Sequence, residues 1–172
     1  MKIQLINHAS VIIETNDCAI WTDPWLFGTA FNDSWKLHPK PKFDNKLLHK
    51  INYIWISHEH PDHFHIPTLR SLPSDFKEKV TVLFQKNNSD KMPNAFEKFG
   101  FKNIKTFKHR KIYNLTPQTK IQIAQIGQMD SSLAVLHKNK VVLNINDCEI
   151  SKKDAKNFIS DLGKINIVLN QM

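Results

Sequence analysis

Four apolar residues, Tyr53-Ile54-Trp55-Ile56, lead directly into Ser57-His58-Glu59-His60-Pro61-Asp62-His63. The apolar run reads as a buried strand, so the polar cluster sits where that strand gives way to a loop. Side chains alternate along extended backbone, which sends His58 and His60 to the same side. Pro61 stops the strand and turns the chain. Asp62 and His63 then approach the same space from another direction. Nitrogen and oxygen donors gathered in this way predict a pre-formed dinuclear metal site suited to Zn²⁺, with Mn²⁺ or Fe as further choices. The chain has nine histidines, so a pair of them two apart would mean little. Three histidines and an aspartate within six positions are harder to produce by chance. A helical His-Glu-x-x-His zinc site is excluded, because the spacing differs and Pro61 interrupts.

Around this segment the chain reads as many short strands and a few helices. Strands are expected at Lys2–Asn7, Ser10–Thr15, Ala19–Asp23, Tyr53–Ile56 and Val80–Gln85, and again at Asn103–Phe107, Lys111–Leu115, Lys120–Ile126, Leu133–His137 and Lys140–Ile145. Helices are expected at Lys46–Lys50, Ile66–Leu72, Asn88–Phe99 and Ser151–Leu162. Pro67 marks the first turn of the second helix, Gly100 the end of the third, and Ser151 the cap of the fourth. Ile165–Asn170 is a last apolar run. Residues 24–45 carry three prolines, Gly28 and little periodicity, and read as a long loop. Its aromatics, Trp25, Phe27, Phe31 and Trp35, either line a substrate cleft or pack the loop down.

A length of 172 residues, 41% of them hydrophobic, fits one domain, 1–172, with a sizeable core. No apolar run reaches membrane-spanning length, and the start does not read as a signal peptide, so a cytoplasmic location is expected. Cys18 and Cys148 are too few for a disulfide framework and read as buried free thiols. The formal charge of +8 favours anionic partners, yet the lysines are scattered and no aromatic-stacking nucleic-acid motif stands out. A glycine-rich phosphate loop and a G-x-S-x-G nucleophile motif are both missing, which argues against nucleotide-driven and serine chemistry.

His58-x-His60-x-Asp62-His63 resembles the signature of the metallo-β-lactamase-fold hydrolases. Asn7-His8-Ala9-Ser10, Trp21-Thr22-Asp23-Pro24-Trp25 and Asn146-Asp147-Cys148 narrow the likeness. Together they resemble the branch holding the ascorbate-phosphate lactonase-like proteins and the hydrolase-like domain of CMP-N-acetylneuraminate hydroxylase. The resemblance implies an α+β, αββα sandwich. It implies that His58 and His60 hold one metal, that Asp62 and His63 hold the second, and that Asp62 also orients the attacking hydroxide. Asp147 takes the place of the carboxylate that bridges the two ions; the plainer reading is a cap region for the helix after it. Asp23 takes the place of an aspartate beneath the histidine loop that orients a ligand. His8 matches a family position but is not expected to ligate. Glu59 points away and is a weak general-base candidate. His38, His49 and His65 read as ordinary surface or core histidines, and His137 as exposed beside a hairpin turn.

Two departures from the family pattern matter. Where a histidine is usual before the strand Leu133–His137, this chain has Gly127-Gln128-Met129-Asp130, and Asp130 either substitutes as an oxygen ligand or caps a turn. A later histidine for the second metal is not present either, so the chain reads as a fragment truncated at its C-terminal side or as a naturally short protein. Three functions follow: a metal-dependent hydrolase of a small anionic ester, lactone or phosphodiester; a non-catalytic or accessory domain of a larger protein; and a nuclease of the same superfamily.

Overall fold

The computed structural model describes residues 1–86, 89 and 91–171. The first sheet contains β1 (Lys2–Asn7), β2 (Ser10–Glu14) and β3 (Ala19–Thr22). After a small hairpin of β4 (Thr29–Ala30) and β5 (Trp35–Lys36), and a 3₁₀ turn at Asn45–Lys50, the chain returns to that sheet as β6 (Tyr53–Trp55). Helices α1 (Ile66–Ser71) and α2 (Ser74–Lys79), strand β7 (Thr81–Gln85), helix α3 (Lys91–Lys98) and strand β8 (Asn103–Phe107) complete the first half. The second half is β9 (Ile112–Asn114), β10 (Thr119–Ile126), β11 (Asp130–His137), β12 (Lys140–Asn146), α4 (Lys152–Leu162) and β13 (Ile167–Asn170).

The strands form two sheets, ordered β1-β2-β3-β6-β7-β8 and β13-β12-β11-β10-β9. Strand alternation explains why they stack. In β2, β6 and β7, Ile12, Ile54 and Val82 face a cluster that includes Leu69, Phe76 and Phe96 from the first three helices. Their neighbours Ile13, Trp55 and Leu83 face the second sheet and meet Ile121, Ile123, Leu133 and Val135. The far side of the second sheet supplies Ala124, Ala134 and Leu143 to Phe158 and Leu162 of α4. Three apolar seams between four layers make an αββα sandwich.

Most expected elements are present, with edges shifted by up to three residues, the largest shift among the described residues being the start of β11 at Asp130 rather than Leu133. Three differences are physical. Ser74–Lys79 is a helix that apolar periodicity does not flag, because only Phe76 and the stem of Lys77 are buried. The loop 24–45 contains the β4–β5 hairpin and divides its aromatics: Trp25 is buried, while Phe27, Phe31 and Trp35 are exposed. His137, expected at the surface, is only 3% exposed, because the end of β11 lies opposite Thr119 of β10. The expected start of the third helix at Asn88 lies outside the described residues.

Candidate metal centre

β6 ends at Trp55, and the next residues are pinned from two sides. The Ile56 amide donates to the Leu83 carbonyl at 3.2 Å. The amide and hydroxyl of Ser57 both donate to the Asp23 carboxylate, at 2.8 and 2.9 Å. The chain then turns on the His60 carbonyl, which accepts from the amides of His63 and Phe64. This turn carries His63 back over His58, with ring centroids 4.1 Å apart.

The donor atoms converge. Nε2 of His58 lies 2.8 Å from Nδ1 of His60. Nε2 of His63 lies 3.3 Å from Oδ2 of Asp62 and 3.6 Å from Oδ2 of Asp147. His8, Asp62 and His63 form one group with ligand atoms within 4.8 Å of each other, and His58, His63 and Asp147 form a second. His63 belongs to both. Its Nε2 and Oδ1 of Asp62 are buried without a hydrogen-bond partner among the described residues. Buried polar atoms are normally paired, and both of these atoms are good metal ligands. The residues therefore fit one or two divalent cations.

The electrostatics describe the same demand for positive charge. Burial opposes protonation of His63, but the surrounding carboxylates of Asp147, Asp23 and Asp62 outweigh it and push the imidazole up to about 12. Burial alone would raise the Asp62 carboxyl, yet its contacts with His63 and His8 hold it far below the usual carboxylate range. Asp147 is lowered too, its burial outweighed by His63 and His58. Burial and the His63 charge push His58 down. A proton on His63 meets a need that a cation would meet instead.

The support behind the donors is dense. Asp23 is fully buried and takes four hydrogen bonds: the two from Ser57, one from Nδ1 of His63 at 3.1 Å and one from Nδ2 of the Asn146 side chain at 3.0 Å. The Ser131 hydroxyl donates to the Ser57 carbonyl and ties the second sheet to the loop. His8, Asp23 and Asn146 all have positive φ, a conformation costly for residues with a Cβ.

Residues 2–155 match the sequence family described as the beta-lactamase superfamily domain. The chain belongs to the metallo-β-lactamase-fold superfamily. A relative, the cytidine monophosphate-N-acetylneuraminic acid hydroxylase of Danio rerio, is 31% identical over 154 residues; the match spans 86% of this chain and 26% of that protein. CmlA, a diiron β-hydroxylase from Streptomyces venezuelae, superposes with a TM-score of 0.72 at 16% identity, over 96% of this chain and 33% of CmlA. A possible metal-dependent hydrolase from Veillonella parvula reaches 0.75 at 11% identity, over 96% of this chain and 69% of that one. These structural likenesses establish the fold.

In this superfamily member the expected residues are placed as follows. His58, Asp62, His63 and Asp147 converge, and His60 joins through His58. Asp130 stands apart: its Oδ1 is 3.8 Å from Nδ1 of His58, the other ring nitrogen from the one near His60 and Asp147, and it belongs to neither donor group. His8 is the residue that sequence reasoning left out; its Nε2 lies 2.8 Å from Oδ2 of Asp62. Only its position in the family pattern could have flagged it, because its partner is 54 residues away. His65 is structural: it caps α1 by accepting from the Thr68 amide and donates to the Thr29 carbonyl. Cys148 is buried as a free thiol, and burial first, then the nearby carboxylates, push it well up.

Two clefts flank the donors. One, of about 280 Å³, is bordered by His58, Glu59, Gln85, Met92 and Gln125. The other, of about 850 Å³, has His8 and Trp25 in its wall. A third cavity, of about 560 Å³, lies between the 3₁₀ turn and α2 at the opposite end of β6 and touches none of the donors. No helix of the described residues is long and apolar enough to cross a membrane.

Proposed function

We propose that this domain is a metal-dependent hydrolase of a small anionic ester, lactone or phosphodiester. The observation that carries the proposal is the pair of donor groups that share the buried His63. His58, His60, Asp62, His63 and Asp147, joined by His8, would hold one or two ions; Zn²⁺ suits the set, and the carboxylates also suit Mn²⁺ or Fe. Asp130 sits close enough to His58 to tune it from the rim. When bound, the metal supplies Lewis acidity and a water that ionises near neutral pH.

The chain's own residues do the positioning. Asp23 holds Nδ1 of His63 and thereby aims Nε2 toward Asp62 and Asp147. Asp62 commits Oδ2 to His8 and keeps Oδ1 available to accept from a water or a substrate hydroxyl. We assign Asp62 the catalytic role of orienting the nucleophile. The donors lie at the ends of packed strands, so little reorganisation is needed.

A second reading is favoured by the hydroxylase relatives: an accessory or non-hydrolytic domain of a larger protein. The chain spans about a quarter of the length of the Danio rerio relative. Metal analysis and turnover of the full-length gene product decide between the two. The hydrolase reading expects about two equivalents of divalent metal and turnover of a generic aryl phosphodiester or lactone, lost on chelation and restored by Zn²⁺, Mn²⁺ or Fe²⁺. A metal-loaded protein that hydrolyses none of them, or that binds no metal after reconstitution, sinks it.

A further inference from the structure

The cleft of about 850 Å³ beside His8 is built mainly from two segments, Leu5 to His8 at the end of β1 and residues 34–42, with Trp25 also in the wall. Its volume falls in the range of small-molecule sites. Its charge is one-sided. Lys36, Lys40 and Lys42 border it with His38, and no acidic residue does. Among the described residues none of the three lysines lies within ion-pair distance of a carboxylate, whereas Lys91 pairs with Glu59 and Arg110 with Asp161. Unpaired cations collected around one concavity form a site for a small anion.

The cleft also carries a flat apolar wall. Trp35 is 49% exposed, far more than the buried Trp21, Trp25 and Trp55. The ring is nonetheless braced, edge-on to Phe31 at 5.0 Å and to His8 at 6.0 Å. Trp35 and Lys36 form β5, paired with Thr29 and Ala30, so the indole and the first lysine stand on a hydrogen-bonded hairpin. Pro39 and Pro41 alternate with Lys40 and Lys42 and restrict the backbone that carries them. An exposed indole next to an ammonium group matches a ligand with a planar apolar ring at one position and negative charge at the next.

His8 joins this cleft to the metal centre, since it lines the cavity and contacts Asp62. We propose that the cleft is the recognition arm of the substrate site, taking a small phosphate monoester or similar multiply charged anion attached to a flat ring. Trp35 covers the ring, and Lys36, Lys40 and Lys42 hold the charge. The assignment rests on the hydrolase reading only in placing the reacting bond beside His8 and Asp62; the binding itself does not require turnover.

Phenyl phosphate is the probe, with phenol as its uncharged control, titrated into the full chain with metal bound and again after chelation while tryptophan emission is followed. Phenyl phosphate is expected to change the emission and phenol to bind much more weakly. Trp35→Phe should abolish the emission change. The combined Lys36→Gln, Lys40→Gln, Lys42→Gln variant should weaken binding about tenfold, and added salt should do the same to the native chain. Circular dichroism checks that the variants fold, and the single Lys40→Gln variant gives a smaller loss in the same direction. Binding that ignores the lysines, or that vanishes with the metal, overturns the assignment. So does an oligonucleotide that displaces phenyl phosphate at far lower concentration, because the cleft would then serve a polymer. A chain that binds phenyl phosphate through the lysines but hydrolyses nothing overturns the hydrolase reading and leaves the cleft in place.

Discussion

β11 has a buried polar cluster at each of its ends, and the two are built on opposite principles. At its start, Asp130 approaches the histidine loop. At its finish, His137 meets Thr119 and Asp17, and Thr119 in turn meets Thr15. At that second cluster both Asp17 oxygens are satisfied: Oδ1 accepts from the hydroxyls of Thr15 and Thr119, and Oδ2 from the Thr116 hydroxyl and the Gln118 amide. It is rich in donors and ties the β2–β3 turn of one sheet to the β9–β10 turn of the other. The histidine loop is rich in lone pairs and poor in protons. There Asp62 Oδ1 and His63 Nε2 have no partner, and the backbone at His8, Asp23 and Asn146 is strained. Asp17, Cys18 and His137 form no donor group among the described residues, despite having the residue types for one. One cluster spends its polar groups on holding the sheets together, with His137 Nε2 alone left without a partner among the described residues. The other leaves them unspent, which is what a site for a ligand requires.

The sharpest way to break this contrast is at Asp23, the residue that satisfies the histidine loop from beneath. Asp23→Asn keeps the shape but replaces an oxygen with an amide that must face one of the Ser57, His63 or Asn146 donors. Metal affinity should fall about 10–100-fold as His63 loses its fixed orientation. The metal-free chain should lose roughly 3 kcal/mol, the scale for breaking a buried charge pair. Competition against a chelator reads the first effect and urea unfolding the second. An unchanged metal affinity would show that Asp23 serves the fold alone.

Thr119→Val tests the other end. The hydroxyl is fully buried and links Asp17 to His137. Removing it should cost about 2 kcal/mol of stability while leaving metal stoichiometry and turnover as they were. The loss should depend on pH. Burial would raise the Asp17 carboxyl, but the hydrogen bonds from Thr116, Thr119, Gln118 and Thr15 outweigh it and hold the group below its ordinary 3.8. A carboxyl depressed in the folded state stabilises the fold above the unfolded value and loses that contribution as pH falls below it. The gap between native chain and variant should therefore be full near neutrality and narrow below pH 3.8. A gap that widens in acid would contradict the proposed role of Asp17.

The two ends also differ in how far the sequence exposes them. The histidine loop is legible because its logic is local: an apolar strand, a spacing of alternate residues, and a proline that turns the chain. Asp147 is legible because it follows the strand run Val141–Ile145 and so arrives at the same edge. The order of strand and helix runs accommodates two sheets between helices, and the αββα sandwich itself is what the family resemblance implies. What stays hidden depends on contacts between distant residues. His8 joins Asp62 across 54 positions, and Asp17 meets Thr119 across 102. His137 reads as exposed because it precedes a lysine-rich hairpin turn, and only the register of β10 against β11 buries it. Asp130 is ambiguous in sequence, and in space it sits at the rim rather than among the donors.

The smallest expected effect belongs to Glu59, which separates His58 from His60 in sequence and yet stands outside the contrast. Its neighbours turn inward and it turns out, pairing with Lys91 at 2.7 Å; the two side chains are 37% and 73% exposed. An exposed pair of this kind contributes at most about 0.5 kcal/mol, because solvent and salt screen both charges. Glu59→Gln should thus shift the unfolding midpoint barely at all and leave metal content and turnover unchanged, as seen by calorimetry and steady-state kinetics. Glu59 does border the smaller cleft beside His58, so it is a carboxylate outside the donor set that could serve as a base. A large fall in kcat with unaltered metal content would move it into the chemistry. It would also mean that the lone pairs used in turnover are not only the buried ones.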